Sequence, residues 1–448
     1  MTQSLSDITE NMIAQARKSG ADASDAIAVD GTSVSIDVRA GKLEHAERSE
    51  GVDIGLRVFV GQRSAIVSSS DARPETVAIM AERAVAMAKE APEDPHAGLA
   101  DPSQLARDRD STSLDMFDPS AEPDPAALQE AAVQAEAAAL ANDGVSQVQS
   151  ASAGYGKRRV HLAATNGFSG GYTRTDSSLS CVAISGSGTG MERDYDYDSR
   201  IYYSDLRDPS EIGRIAAERA VERAGARKPK TGSYPVLFDE RIASSLIGHL
   251  VGAINGAAIA RGSSWLRDAM GEQVLPSSMS LIEDPRRPRA FSSRMFDAEG
   301  LPTARRAIIE DGVLTGWTLD LANARKLGLE STASAVRGTS GPPSPSLTNL
   351  ALTQGAQSRD DLIRDMGTGL LITSLIGSTV NPNTGDYSRG ASGFWVENGE
   401  ITHPVNECTV AGNLRDMLMR LTPANDARPH LSKVIPSLLV EGLTLAGD

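Results

Sequence analysis

The first apolar positions of the chain recur at helical spacing. Leu5, Ile8 and Met12 follow Ser4, a residue suited to an N-cap, and Gly20 can close the last turn, so a helix opens the chain. The period then drops to two. Val34, Ile36 and Val38 alternate with Ser35, Asp37 and Arg39, which predicts a strand with one buried and one wet face. Leu56, Val58 and Val60 alternate again, Gly61-Gln62 reads as a hairpin turn, and Ala65-Ile66-Val67 returns. A second helix is expected from about Pro74 to Lys89, with Pro74 in the first turn, where a missing N–H costs little.

Between residues 91 and 125 the pattern breaks. Prolines 92, 95, 102, 119, 123 and 125 fall among many Asp and Ser residues, and the stretch reads as a connection lying across the surface. The pattern then restarts. Asp124 and Pro125 open an Ala-rich helix ending near Asn142-Asp143-Gly144, β-like runs follow from Val145 to Tyr203, and another helix begins near Pro209. The run Ala81-Glu82-Arg83-Ala84-Val85 recurs unchanged as Ala217-Glu218-Arg219-Ala220-Val221, and Glu75/Glu211 and Ile79/Ile215 share its offset. The restart predicts a duplication: two α+β units that share one sheet or pack as a pseudo-symmetric pair. The remainder is richer in Gly, Leu and Thr. Asp311-Gly312 and Asn398-Gly399 each sit between short apolar runs and tolerate the positive φ of a type I′ turn. Ser340 to Ser346, with Pro342, Pro343 and Pro345, reads as an exposed loop. The expected class is α+β: a duplicated helix–strands–helix N-terminal region followed by a largely β C-terminal domain. The expected boundaries are 1–90, a Pro-rich connection 91–125, a second unit 126–230, and 231–448.

Composition narrows the function. The chain has 448 residues, 40% hydrophobic and 23% charged, with only 4% aromatic, so the core must be mostly Ala, Val, Leu and Ile. The net charge of −15 repels phosphate backbones and makes direct nucleic-acid binding unexpected. The clusters Arg286-Arg287-Pro288-Arg289 and Arg227-Lys228-Pro229-Lys230 read as solvated surface or interface against that background. Two distant cysteines, Cys181 and Cys408, exclude a disulfide framework and a multi-Cys zinc site, and fit a reducing compartment. Met1-Thr2-Gln3-Ser4 lacks a signal-peptide pattern, and the most apolar stretch, Leu246 to Ala260, is too short for a bilayer, so no membrane role and a cytoplasmic location are expected.

Motifs are scarce. Gly186, Gly188 and Gly190 have the wrong spacing for a phosphate loop, and no Gly-x-Ser-x-Gly elbow is present. Asp194, Asp196 and Asp198 superficially resemble a calcium loop, but Ser199 replaces its glycine and Asp205 stands where its Glu belongs. The alternation with Tyr195 and Tyr197 fits a strand carrying Tyr on one face and Asp on the other. His249 is followed by Leu250, with Ala253 and Ile254 at the positions where a helical zinc protease needs its second His. It reads as a packed core histidine. His45, His96, His161, His403 and His430 form no ligand spacing.

The C-terminal half resembles the TldD/PmbA family. The resemblance is carried by Asp311-Gly312-Val313-Leu314-Thr315, Ala324 to Leu329, Met366 to Leu371, and most strongly by Thr384 to Ala391 with Gly393 to Ile401. Pro404-Val405, Ala411-Gly412-Asn413-Leu414 and Val440 to Leu443 fit as well, and the likeness is to the PmbA, or TldE, branch. It implies a cytoplasmic peptide-processing machine. In it a TldD-type subunit carries a His-Glu-x-x-x-His motif and a cysteine ligand, and a TldE-type subunit lacks the metal site. The family's older name as a gyrase modulator implies a DNA link that the acidic composition does not support. Here Leu250 and Ile254 replace the motif's chemistry, and no cysteine follows Cys408. The resemblance therefore implies a non-catalytic subunit with no catalytic or metal residues and no cofactor of its own, zinc being expected in the partner. Expected partners are a TldD-like catalytic subunit in a heterodimer, or a second copy, and unfolded peptides. Gly385, Asp386, Tyr387, Ser388 and Arg389 are the candidates for the peptide-cavity wall, with a peptide added to a sheet edge; the bland alternative is a constrained turn. A homodimeric peptide-binding or scaffold protein is the other reading. A self-sufficient hydrolase would need a nucleophile–base pair, and none is visible by spacing.

Overall fold

Ser4 caps the first helix as its position predicts: its Oγ accepts from the Asp7 N–H at 3.1 Å, and the Asp7 carboxylate accepts in return from the Ser4 N–H at 3.1 Å. In the computed structural model, which describes residues 3–448, the chain then runs α1 (Leu5–Lys18), β1 (Ala23–Arg39), β2 (Lys42–Val60), β3 (Arg63–Ser69) and α2 (Pro74–Glu90). Met1 and Thr2, half of the segment read for a leader, lie outside the described residues. After the connection the order repeats: α3 (Pro125–Leu140), β4 (Val145–Ala164), β5 (Ser169–Ser185), β6 (Glu192–Arg200) and α4 (Pro209–Glu222). The six strands form one antiparallel sheet in the order β3-β2-β1-β4-β5-β6. The first strand of each unit pairs with that of the other, from Asp25↔Ala164 to Val38↔Ala151, so the units share a sheet about a local two-fold. The duplicated Ala-Glu-Arg-Ala-Val runs occupy equivalent places, in the helix that follows each unit's third strand.

Side-chain parity explains how the sheet is covered. Ala26, Ala28, Val34, Ile36 and Val38 of β1 point to one face. The first two meet α1 and α2 through Met12, Val77 and Ala81, and the last three meet α3 and α4 through Leu128, Ala132 and Ala216. Ile27 and Val29 point to the other face. There they pack with Val160, Leu162 and the C-terminal Met295 and Phe296, and with Ala106, Leu114 and Met116 of the connection. The connection therefore does not lie across the surface throughout. Its scattered apolar residues cover the second sheet face, which would otherwise expose Ile27 and Val160 to water.

In the C-terminal region, β7 (Gly232–Phe238) leads into α5 (Glu240–Ala253). Strands Gly369–Val380, Asp386–Glu397, Glu400–Asn413 and Leu438–Ala446 join β7. Because Glu400–Asn413 pairs with both Asp386–Glu397 and Leu438–Ala446, these five strands close into a ring. The Asp311-Gly312 and Asn398-Gly399 hairpins form where expected, with Asp311 and Asn398 at φ +48° and +53°. The stretch Ser340 to Ser346 departs from the expected exposed loop. Pro343 and Pro345 are buried, Ser344-Pro345 pairs with Ala335-Val336, and the Pro345 carbonyl accepts from Asn255 Nδ2 at 2.8 Å. Proline lacks only the donor; its carbonyl and ring still pack and pair. Among the described residues no helix is long and apolar enough to cross a membrane.

Candidate functional site

α5 is capped by Asp239, whose carboxylate accepts from the Arg241 N–H at 3.2 Å. Its apolar stripe, Ala243, Leu246, Ile247, Leu250 and Ala253, is buried in the C-terminal core. His249 stands beside that stripe, half-buried, with its ring edge-on to Tyr387 at 5.7 Å between centroids. Its Nε2 is buried without a partner. Burial and, less strongly, the Arg389 guanidinium hold its pKa below the ordinary histidine value, so the ring is neutral at pH 7. Leu250, Ala253 and Ile254, the neighbours that would have to help bind and use a metal, are buried apolar side chains. Cys408 donates to the Ala391 carbonyl at 3.2 Å, and burial pushes its thiol up to about 11, so it offers no thiolate. Among the described residues no group of three or more His, Cys, Asp or Glu is placed to hold a metal ion. The donor set around His249 does not fit zinc.

The five wall candidates do not form one surface. Gly385 takes φ +82°, and a Cβ there would sit 3.4 Å from the Trp265 ring, so its glycine answers both to backbone and to space. Asp386 is exposed and turned toward its own hairpin, accepting from Thr384 Oγ1 at 2.6 Å and Asn413 Nδ2 at 3.1 Å. Those bonds lower its pKa. Tyr387 projects to the opposite face, buried, its hydroxyl unpartnered and pushed up to about 12 by burial. Ser388 is half-buried on the Asp386 side of the alternation. Arg389 shares the Tyr387 side and donates from Nε to the Gly377 carbonyl at 2.7 Å. The structure thus assembles His249, Tyr387 and Arg389 and separates Asp386 from them.

The backbone of this strand is occupied on both sides, Tyr387 opposite Val380 and Gly412. The free edge lies one strand over. Strand Gly369–Val380 pairs with β7 only from Leu370 to Ile372, and among the described residues nothing pairs with Ser374–Val380 on that side. Ile376 on this edge is 71% exposed. Sequence reading found the region but not the edge, because which flank of a strand is free depends on where its neighbour ends.

A second cluster was read only in part. Asp194, Asp196 and Asp198 do alternate with the tyrosines on β6, but the aspartate face is the buried one. Asp194 meets Arg241 at 2.9 Å and Arg223 at 3.3 Å, Asp196 meets Arg207 at 2.7 Å and Arg219 at 2.8 Å, and Asp198 meets Arg200 at 3.0 Å. Tyr195 and Tyr197 stack on the more open face, with Tyr195 41% exposed. The available signal was the set of arginines at 207, 219 and 223, the last two one helical turn apart, in α4 and at its C-cap. Inward charges on an edge strand also oppose edge-to-edge pairing.

Known proteins resemble the whole of this architecture. The domains described as PmbA/TldA metallopeptidase domain 1, central domain and C-terminal domain match residues 24–88, 118–224 and 231–447. Metalloprotease PmbA of Escherichia coli O157:H7 is 38% identical over 421 residues, covering 93% of this chain and 90% of that protein. The metalloprotease PmbA homolog of Haemophilus influenzae is 36% identical over 436 residues, covering 97% and 94%. A Bacteroides thetaiotaomicron protein whose name proposes it as a modulator of DNA gyrase superposes with a TM-score of 0.90 at 29% identity, over 98% of both chains. TldE from Thermococcus kodakarensis superposes with a TM-score of 0.86 over 98% of this chain and 99% of that one; at 22% identity the likeness concerns the fold alone. With three consecutive domain matches and a relative 38% identical across nearly all of both chains, this chain belongs to the PmbA/TldD metallopeptidase family.

Proposed function

We propose that this chain is the metal-free, peptide-holding subunit of a cytoplasmic TldD/TldE-type metallopeptidase complex. A TldD-like partner supplies zinc and the catalytic glutamate. The observation that carries the reading is the free strand edge Ser374–Val380 beside His249, Tyr387 and Arg389. An unpaired edge offers a row of N–H and C=O groups to any extended peptide, with little demand on sequence, as a processor of unfolded substrates requires. Arg389, tied to the Gly377 carbonyl, supports the edge from behind. The apolar Leu250, Ala253 and Ile254 support the metal-free role, although the relatives above carry the word metalloprotease in their names.

The test measures zinc and peptide cleavage for the chain alone and mixed with a TldD-like subunit. The expected result is no stoichiometric zinc and no cleavage alone, with cleavage in the mixture. One zinc per chain, lost in His249→Ala together with cleavage by the chain alone, overturns the proposal. A homodimer that leaves the partner's cleavage unchanged favours the scaffold reading instead. Within the mixture, Arg389→Ala is expected to raise KM several-fold, whereas Asp386→Ala, on the other face, is expected to leave it unchanged.

A further inference from the structure

The free edge of strand Gly369–Val380 and the Arg389 guanidinium meet at Gly377. Along Ser374–Ile376 the strand is paired with Asp386–Glu397 on one flank and, among the described residues, with nothing on the other. Alternate residues of that run turn their N–H and C=O groups to the open flank. The strand then bulges. Ile376 lies opposite Gly390 and Thr379 opposite Ser388, so residues 377 and 378 together face Arg389. Gly377 takes φ +70°, which favours glycine, and its carbonyl accepts from Arg389 Nε at 2.7 Å. The regular part of the open edge therefore ends at a guanidinium held in place.

The charge of Arg389 is uncompensated. Among the described residues no carboxylate pairs with it, whereas Arg359 of the same domain pairs with Asp239 at 3.1 Å and Arg364 with Asp361. In a chain of net charge −15, an arginine left without an acid is an exception. Asp386, the nearest acid in sequence, projects to the other face and is held by Thr384 and Asn413. The side chains that feel Arg389 are His249 and Tyr387. His249 is neutral at pH 7, and burial keeps Tyr387 protonated, so neither supplies the missing negative charge. Arg389 is only half-buried, and its Nη1 and Nη2 have no acceptor in hydrogen-bond geometry and remain open to water.

A guanidinium with a free fork matches an anion with two oxygens, and a carboxylate is the anion a peptide carries. A strand laid along Ser374–Ile376 reaches Gly377 at one end, so its backbone bonds to the edge and a carboxylate at that end bonds to Arg389. We propose that this edge takes an extended peptide that sets a carboxylate on Arg389, supplied by a free C-terminus or by an Asp or Glu side chain. The inference rests on the peptide-holding reading of the same edge and makes Arg389 its specificity-determining residue.

The experiment is fluorescence anisotropy with an N-terminally labelled, unstructured peptide. Binding is measured to the full chain alone and mixed with a TldD-like subunit, with a chelator present to prevent cleavage. Three forms of a peptide without acidic side chains are compared: the free C-terminal acid, the C-terminal amide, and the amide with one Glu added near its end. The acid is expected to bind at least about fivefold more tightly than the plain amide, an advantage that shrinks with added salt. Arg389→Gln should abolish the advantage, and Arg389→Lys, which keeps the charge, should retain part of it. A Glu-bearing amide that binds like the acid identifies a side-chain carboxylate as sufficient; one that binds like the plain amide identifies the C-terminus. Equal binding of all three forms overturns the carboxylate preference and leaves the peptide-holding reading standing. An acid advantage undiminished in an Arg389→Gln chain that still melts cooperatively also overturns it. Absence of binding by every form overturns the peptide-holding reading, and this inference with it.

Discussion

The two N-terminal units share an order of elements and one sheet, yet they meet the C-terminal domain differently. Unit 1 ends at the edge strand β3, whose residues are Ser, Ala, Ile and Val after Arg63. Unit 2 ends at β6, whose aspartates are buried and paired. The repeated helix run shows the consequence residue by residue. Arg83 of α2 is exposed, while its counterpart Arg219 on α4 donates to the Tyr195 carbonyl at 3.1 Å and to Asp196 at 2.8 Å. Same residue, same helical position: the neighbouring strand decides whether the charge is solvated or structural. The β6 end is also the docking end. Arg241 of α5 reaches Asp194, Arg223 reaches Ser392 at 2.7 Å, and Asn406 reaches Glu192 at 2.9 Å.

The sharpest way to break this comparison is to remove one docking charge. Arg241 and Asp194 have side chains 7% and 5% exposed. Arg241→Met leaves Asp194 and Asp239 each short of a partner in a buried setting, and breaking such a pair costs about 3–5 kcal/mol. The expected fall in urea midpoint is large, whereas Arg83→Met in α2, at the exposed counterpart of Arg219, should stay within about 0.5 kcal/mol. Equal effects at the two sites would mean that the β6 network is not what distinguishes the units.

The helix pairs differ too. Gly213 of α4 corresponds to Val77 of α2 under the repeat. A Cβ at Gly213 would lie 1.9 Å from the Ala135 carbonyl oxygen of α3, so the second pair packs backbone to backbone where the first packs through a valine. Gly213→Ala is expected to destabilise by about 1–3 kcal/mol despite the higher helix propensity of Ala, because α3 must shift. A stabilised Gly213→Ala variant in thermal unfolding would remove the close approach. Arg219→Ala follows at about 1–2 kcal/mol, since its charge-assisted bonds are only partly shielded from water.

Much of this comparison is legible in the sequence alone. Ser4, Pro74, Pro125 and Pro209 mark helix starts by local rules, and the Asp-Gly and Asn-Gly pairs mark hairpins for the same reason. The recurrence of Ala-Glu-Arg-Ala-Val exposed the duplication. What was not legible is where charges end up. Alternation divides β6 into an Asp face and a Tyr face without saying which is inside, and the pattern favours solvating the aspartates. Apart from Arg200 on β6 itself, their arginines come from α4 and its C-cap, from α5 and from the turn before α4, so only the tertiary fold can overturn that preference. Within Gly385–Arg389 the region was legible, but the split of its side chains between two faces follows from strand pairing on both flanks.

Unit 1 also meets the C-terminal domain through charge, but with less complete pairing, and one carboxyl at that contact makes it sensitive to pH. Glu299 lies near Arg57 of β2 and accepts from the Leu321 N–H at 2.8 Å. Burial, and next the neighbouring Asp297, push its carboxyl up to about 8. A carboxyl whose folded-state pKa is raised contributes stability that is fully present below its unfolded value and is lost as pH rises through the folded one. Stability should therefore decline from about pH 5 upward, with a loss on the order of 1 kcal/mol between pH 7 and pH 9 arising from this group. Glu299→Gln keeps an acceptor for Leu321 and cannot ionise, so it should flatten that decline while leaving stability near pH 5 little changed. Urea midpoints across pH 5 to 9 for the parent and Glu299→Gln decide the matter; parallel curves would show that the alkaline loss arises elsewhere.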